Sequence, residues 1–221
     1  NCKNNFKNLY FIFILFLIFL SLSHFLLVPT LFVACSVTEG LSDLVVNAIY
    51  KDSLGYVWLG TGNSLECFDG IHFKHYLIPG SDEKLKRVNA IAEMPGNELW
   101  MGNGSGLWRV SKQKNSLEPI ARETIGYAVR SLLHDGKGIL YIGTERGLFI
   151  YKGGSLNQIM IDPNMLSAAN SIGGLNLGED GILWMATENG LYSLQLSDGK
   201  IEAYHNVVEE KHVCSFKNIA G

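Results

Sequence analysis

Residues 46–60 read VNAIYKDSLGYVWLG, and the chain repeats this pattern three more times: VNAIAEMPGNELWMG from Val88, VRSLLHDGKGILYIG from Val129 and IGGLNLGEDGILWMA from Ile172. The copies align without gaps. In each, 12 positions separate the leading Val or Ile from the aromatic, Trp58, Trp100, Tyr141 or Trp184. The starts recur every 41 to 43 residues. A period of about 40 with no helical periodicity inside it is the signature of propeller blades rather than of a helical solenoid.

Within one copy the chemistry is that of strands. Val57 and Leu59 alternate with Trp58 and Gly60, and Leu99/Met101, Leu140/Ile142 and Leu183/Met185 keep the first of those faces apolar. Both faces are therefore apolar or small, as in a sheet sandwiched between neighbours. SLG, PGN, GKG and EDG precede these strands and carry tight-turn chemistry. Residues 65–69 and 73–77 predict a third and a fourth strand joined at Asp69-Gly70. Four short strands per repeat make one blade.

A glycine-leucine step follows each aromatic: Gly106-Leu107, Gly147-Leu148 and Gly190-Leu191, with Ser64-Leu65 in the first copy. Glycine there supplies a positive φ, which costs other residues about 1 kcal/mol or more. Ser64 predicts a different turn in the first copy, with Gly62 two residues earlier.

The fold class expected is all-β: a partial β-propeller of about four four-stranded blades plus the first strand of a fifth, preceded by a hydrophobic N-terminal helix. The expected blades span 41–84, 85–125, 126–168 and 169–211. The next begins in 212–221, where Val213 to Phe216 align with Val46 to Ile49. Four blades, a restarting register and Asn1 as first residue predict a fragment of a longer protein.

GILWMATENGLYSL, GILYIGTERGLFIY and YVWLGTGNSLECFDG resemble the two-component regulator propeller repeat, whose consensus runs N-x-V-x-x-I-x-x-D-x-x-G-x-L-W-x-G-T-x-x-G-L. The resemblance covers residues 41–221. Departures are local: Tyr141 stands for tryptophan, Asn103 and Ala186 interrupt the Gly-Thr pair, and Arg130 and Gly173 replace the leading asparagine. WD-repeat and kelch patterns fit less well, since neither Gly-His nor Trp-Asp recurs at a fixed offset. The resemblance implies a sensor propeller on the extracytoplasmic side of a bacterial membrane regulator, often glycan-responsive, with a homodimer and a downstream output domain such as a histidine kinase in the full-length protein.

Residues 1–36 point to export. Lys3 and Lys7 precede an apolar run from Leu9 to Leu20 that resumes at Phe25 and ends near Pro29. The pattern fits a signal peptide. Leu9 to Val28 is also about the 20 residues that cross a bilayer, so a signal anchor fits too. Either places residues 37–221 on the periplasmic side of the inner membrane. Phe32-Val33-Ala34-Cys35 loosely resembles a lipobox, which would make Cys35 a lipidated N-terminus. The alternative is a small residue beside a cleavage after Ala34 or Ser36.

No catalytic, metal or cofactor site is expected. The four cysteines lack CxxC or CxxH spacing, and HExxH, GxSxG and phosphate-loop patterns are missing. Cys67 and Cys214 fall at non-equivalent points of their repeats, so no disulfide is implied. His72 and His75 are expected in the fourth strand of the first blade, on opposite faces. Glu179-Asp180 and Gly102 to Gly106 read as turns, the latter between strands rather than before a helix. Net charge of -3 and 18% charged residues, with no basic stripe, argue against nucleic acid.

For ligand binding, position matters. The first strand of a propeller blade lines the central channel, and Asn47, Asn89, Arg130 and Gly173 stand at its entry. Amides and a guanidinium there suit a hydroxyl-rich ligand such as an oligosaccharide, and asparagine is equally a turn residue. Trp58, Trp100, Tyr141 and Trp184 read as packing between blades rather than as sugar-stacking platforms.

Overall fold

A computed structural model describes residues 40–76, 87–111, 116–120 and 125–204. The leader 1–36 with its expected helix, Cys35, Cys214 and the fifth-blade start at 212–221 lie outside the described residues.

Sixteen strands form four antiparallel sheets of four. The first comprises β1 (Val46–Lys51), β2 (Val57–Thr61), β3 (Leu65–Phe68) and β4 (Phe73–Tyr76). The second comprises β5 (Ala90–Met94), β6 (Glu98–Asn103), β7 (Gly106–Ser111) and β8 (Ser116–Ile120). The third holds β9 (Val129–His134), β10 (Ile139–Thr144), β11 (Gly147–Lys152) and β12 (Ser155–Ile159). The fourth holds β13 (Ile172–Leu177), β14 (Ile182–Thr187), β15 (Gly190–Gln195) and β16 (Ile201–Tyr204). Each sheet is a meander in chain order. The first strands β1, β5, β9 and β13 neighbour one another in succession, so they are the inner strands of adjacent blades.

Three apolar layers hold the blades together, each made by one face of a sheet and the opposite face of the next. Trp58, Leu65 and Tyr76 of the first sheet meet Leu99, Met101 and Trp108 of the second. Trp100 and Leu107 meet Leu140, Ile142 and Phe149. Tyr141 and Leu148 meet Leu183, Met185 and Tyr192. Trp58, Trp100 and Tyr141 are thus the packing residues that the repeat predicted, all at least 96% buried.

In the first three blades the glycine two residues after the aromatic makes room for the next blade. A Cβ on Gly60 would stand 2.7 Å from Val88 Cγ1, and one on Gly102 would stand 2.1 Å from Val129 Cγ1. On Gly143 it would stand 2.9 Å from Ile172 Cγ2. The leading Val or Ile of each blade therefore sits on the glycine of the blade before it. Backbone bonds reinforce the seam, with Arg87 N donating to Gly62 O and Val88 N to Thr61 O at 3.0 and 3.1 Å.

In the third and fourth blades a threonine at the end of the second strand closes the hairpin. Thr144 Oγ1 donates to Gly147 O at 2.8 Å and accepts from Arg146 N, and Thr187 does the same around Gly190. Gly106, Gly147 and Gly190 hold φ of 123°, 112° and 109°. Ser64 is not among the positive-φ residues, so its turn differs as expected; its amide and carbonyl bond Thr61.

Two sequence expectations need correction. β3 stops at Phe68, because Asp69 caps the turn by accepting from Ile71 N and His72 N at 2.8 and 2.7 Å. β4 starts at Phe73, so His72 belongs to that turn and not to the strand.

Candidate functional site

Antiparallel meanders give each blade two ends, and candidate residues lie at both. At one end begin the inner strands, beside the β2–β3 type of hairpin. There Val46 pairs with Thr61 and Ala48 with Gly60, leaving Asn47 as the extra residue of a bulge. The same shift isolates Arg130 between Val129 and Ser131, and Gly173 between Ile172 and Gly174. Bulges bend a strand and re-aim the inserted side chain.

Asn89 stands just before β5 without a bulge, and the side chains at these entry positions differ in what they do. Asn89 Nδ2 donates to Val129 O at 3.1 Å, tying the second blade to the third. Arg130 Nη1 bonds Glu188 Oε1, tying the third to the fourth. Asn47 is exposed. Two of the three expected binding residues thus also serve as straps between blades.

One cluster at this end escaped the sequence reading. Glu66 is fully buried on β3, and its Oε1 accepts from Ser42 N at 3.0 Å, from Ser64 Oγ at 2.8 Å and from Ser42 Oγ. Its Oε2 has no partner among the described residues, and His75 Nδ1 stands 3.9 Å from Oε1. The register explains why Glu66 is unusual: its equivalents facing Met101, Ile142 and Met185 are the aromatics Trp108, Phe149 and Tyr192. Aligning third strands, and not only second strands, would have exposed the substitution.

At the opposite end the β1–β2 and β3–β4 turns flank a cavity of about 430 Å³ on the first blade, lined by Asp52, Leu54, Tyr56, Trp58, Cys67, Asp69, His72, Lys74 and Tyr76. Asp52 builds its floor. Oδ1 accepts from Leu54 N and Tyr56 N at 3.0 and 2.9 Å, while Oδ2 accepts from Trp58 Nε1 at 2.9 Å. Tyr76 lies against Trp58 with ring centroids 5.2 Å apart. Burial, then the Cys67, Asp52 and Tyr56 groups, push its hydroxyl up to about 12. Lys74 Nζ stands 5.4 Å from the Tyr76 ring centre. His72 and His75 do not converge: His72 lines this cavity, and His75 faces Glu66 across the sheet.

Among the described residues the three His–carboxylate pairs all stand at 3.9 Å, beyond hydrogen-bonding distance. No group of three or more His, Cys, Asp or Glu could hold a metal ion among them. None of their helices is long and apolar enough to cross a membrane.

Residues 40–63 match the family model described as two component regulator propeller. No curated protein sequence matches the chain. Among solved structures, the extracellular domain of a putative hybrid two component system from B. thetaiotaomicron is similar over 78% of this chain and 26% of its own, with 20% identity and a TM-score of 0.64. Virginiamycin B lyase from Staphylococcus aureus is similar over 80% of this chain and 60% of its own, with 17% identity and a TM-score of 0.63. PorZ, a surface component of the type-IX secretion system of Porphyromonas gingivalis, is similar over 76% and 23%, with 17% identity and a TM-score of 0.53. The chain therefore spans a quarter of the first of these and three fifths of the second. At such identities the likeness establishes the propeller fold.

Proposed function

We propose that this chain, which carries a two component regulator propeller repeat at residues 40–63, is the ligand-sensing propeller of an exported, membrane-bound signal-transduction regulator. The observation that carries the reading is the repeat itself, matched by the family model in its first copy and continued through three further blades. The likeness to the extracellular domain of a putative hybrid two component system supports it. In this reading an oligosaccharide is the signal, and the end of the inner strands bearing Asn47, Asn89 and Arg130 receives it. Asn47 is the exposed amide there, suited to a hydroxyl-rich partner that needs directional donors and acceptors.

Extending the gene sequence past Gly221 tests the sensor reading. It expects a membrane span followed by a histidine kinase or another output domain. A stop codon soon after the last blade would favour the alternative, an exported propeller lyase or hydrolase, or a free-standing binder. Calorimetric titration of the whole extracytoplasmic region with a glycan panel tests the ligand class. Heat with one glycan, reduced by Asn47→Ala, is the expected result, and no heat throughout would remove the glycan.

A further inference from the structure

The cavity on the first blade lies over a small residue, Cys67, where the second and third blades carry large ones. The register gives the equivalents directly. Trp58 pairs with Cys67 and Cys67 with Lys74, whereas the second blade has Trp100, Arg109 and Glu118 in the same places. The third has Tyr141, Ile150 and Asn157, and the fourth Trp184, Ser193 and Glu202.

In the second blade the space is filled by Arg109, which bonds Glu118 at 2.9 Å and stands 3.5 Å from Glu98, while Glu98 also accepts from Trp100 Nε1. In the third, Ile150 stands at that position, half-buried against the layer shared with the fourth blade. The first blade has only the small Cys67 there. Its charges also differ. Tyr56 stands two residues before Trp58, where Glu98 stands before Trp100, and Lys74 replaces Glu118. Of the four equivalent positions, only Lys74 is a cation; in the fourth blade Glu202 is bonded by Lys200 at 2.6 Å.

The carboxylates around the cavity are already engaged, Asp52 by two backbone N–H groups and the Trp58 indole, and Asp69 by two backbone N–H groups. Lys74 makes no ion pair among the described residues, and His72 is exposed at the rim. Leu54 and Tyr56 are the exposed apolar walls, and the buried Trp58 and Tyr76 close the base. A cavity of about 430 Å³ lies within the size range of small-molecule sites, which pair apolar walls with a few polar groups that fix orientation.

We propose that this cavity is a binding site for a ring-bearing carboxylate, its ring against the exposed side chains of Leu54 and Tyr56 and its carboxylate on Lys74 and His72. The proposal does not depend on the sensor reading, because no step of it passes through signalling.

The test uses the full-length protein and calorimetry with two acids, benzoate and methyl β-glucuronide, beside their neutral counterparts benzamide and methyl β-glucoside. At least one acid should saturate the protein, with its neutral counterpart at least tenfold weaker. Lys74→Glu, which restores the charge of the second blade at an exposed position, should weaken that acid at least tenfold. Cys67→Ile, which inserts the third blade's larger residue, should abolish binding while keeping the near-ultraviolet circular dichroism of the parent. The acid that binds identifies the source, sugar acid or aromatic acid. Failure of both acids to bind overturns the proposal, as does equal binding of the neutral counterpart. Undiminished binding in Lys74→Glu, or in folded Cys67→Ile, does so as well.

Discussion

At the scale of single residues, the repeat is kept by two kinds of contact. One is a void that must stay empty. Gly102 is occupied from the other side by Val129, whose Cγ1 and Cβ would lie 2.1 and 2.6 Å from an added methyl. Overpacking of this kind costs typically 1–3 kcal/mol, so Gly102→Ala should lower the urea midpoint by an amount worth about 2 kcal/mol. The other is a carboxylate with several clients. Asp52→Ala would leave the buried Trp58 indole N–H and two turn amides without their acceptor. A buried donor left unsatisfied costs about 1–3 kcal/mol, so a loss of about 3 kcal/mol is expected in thermal or urea unfolding. Asp52→Asn keeps an amide oxygen and should cost less.

At the scale of elements, each sheet is stable only as one slice of a stack. Its two faces were legible in the sequence, since Leu59, Met101, Ile142 and Met185 keep one face apolar and the aromatics fill the other. Tyr50, Tyr76 and Tyr141 lie on these faces, and burial pushes all three hydroxyls above their ordinary range, Tyr76 to about 12. A raised tyrosine pKa means the folded chain keeps a proton that the unfolded chain gives up near pH 10. The stabilisation is whole below pH 10 and is lost as the pH rises toward about 12. The urea midpoint should therefore fall across this window, and Tyr76→Phe should flatten the fall. An unchanged slope in Tyr76→Phe would count against the assignment to that residue.

At the scale of the whole molecule, the stacking rule leaves a debt at its first member. Among the described residues no sheet covers the face of the first blade that carries Ile49, Leu59, Glu66 and His75, and Ile49 is 72% exposed. In the other three blades the equivalent face is buried by the preceding sheet. Apolar area left wet forfeits roughly 25 cal/mol per Å². Residues 37–221 produced alone should therefore self-associate, and Ile49→Lys should shift the population toward monomer in light scattering. A compact monomer without the substitution would contradict this.

The sequence by itself determined the repeat of four short strands, their order, the turns between them and three of the four aromatics, Trp58, Trp100 and Tyr141, that pack between blades. These depend on alternation and spacing, which a linear pattern records completely. It also placed Asn47, Asn89 and Arg130 at the entry of the inner strands, though neither the bulges at Asn47 and Arg130 nor their fates. Only the tertiary structure decided that Asn89 and Arg130 strap neighbouring blades, that Glu66 is sealed under Ser42, and that Cys67 lines a cavity beside Lys74. The reason is physical: what a side chain meets across a seam or behind a cross-strand neighbour depends on residues tens of positions away, and no local period encodes that distance.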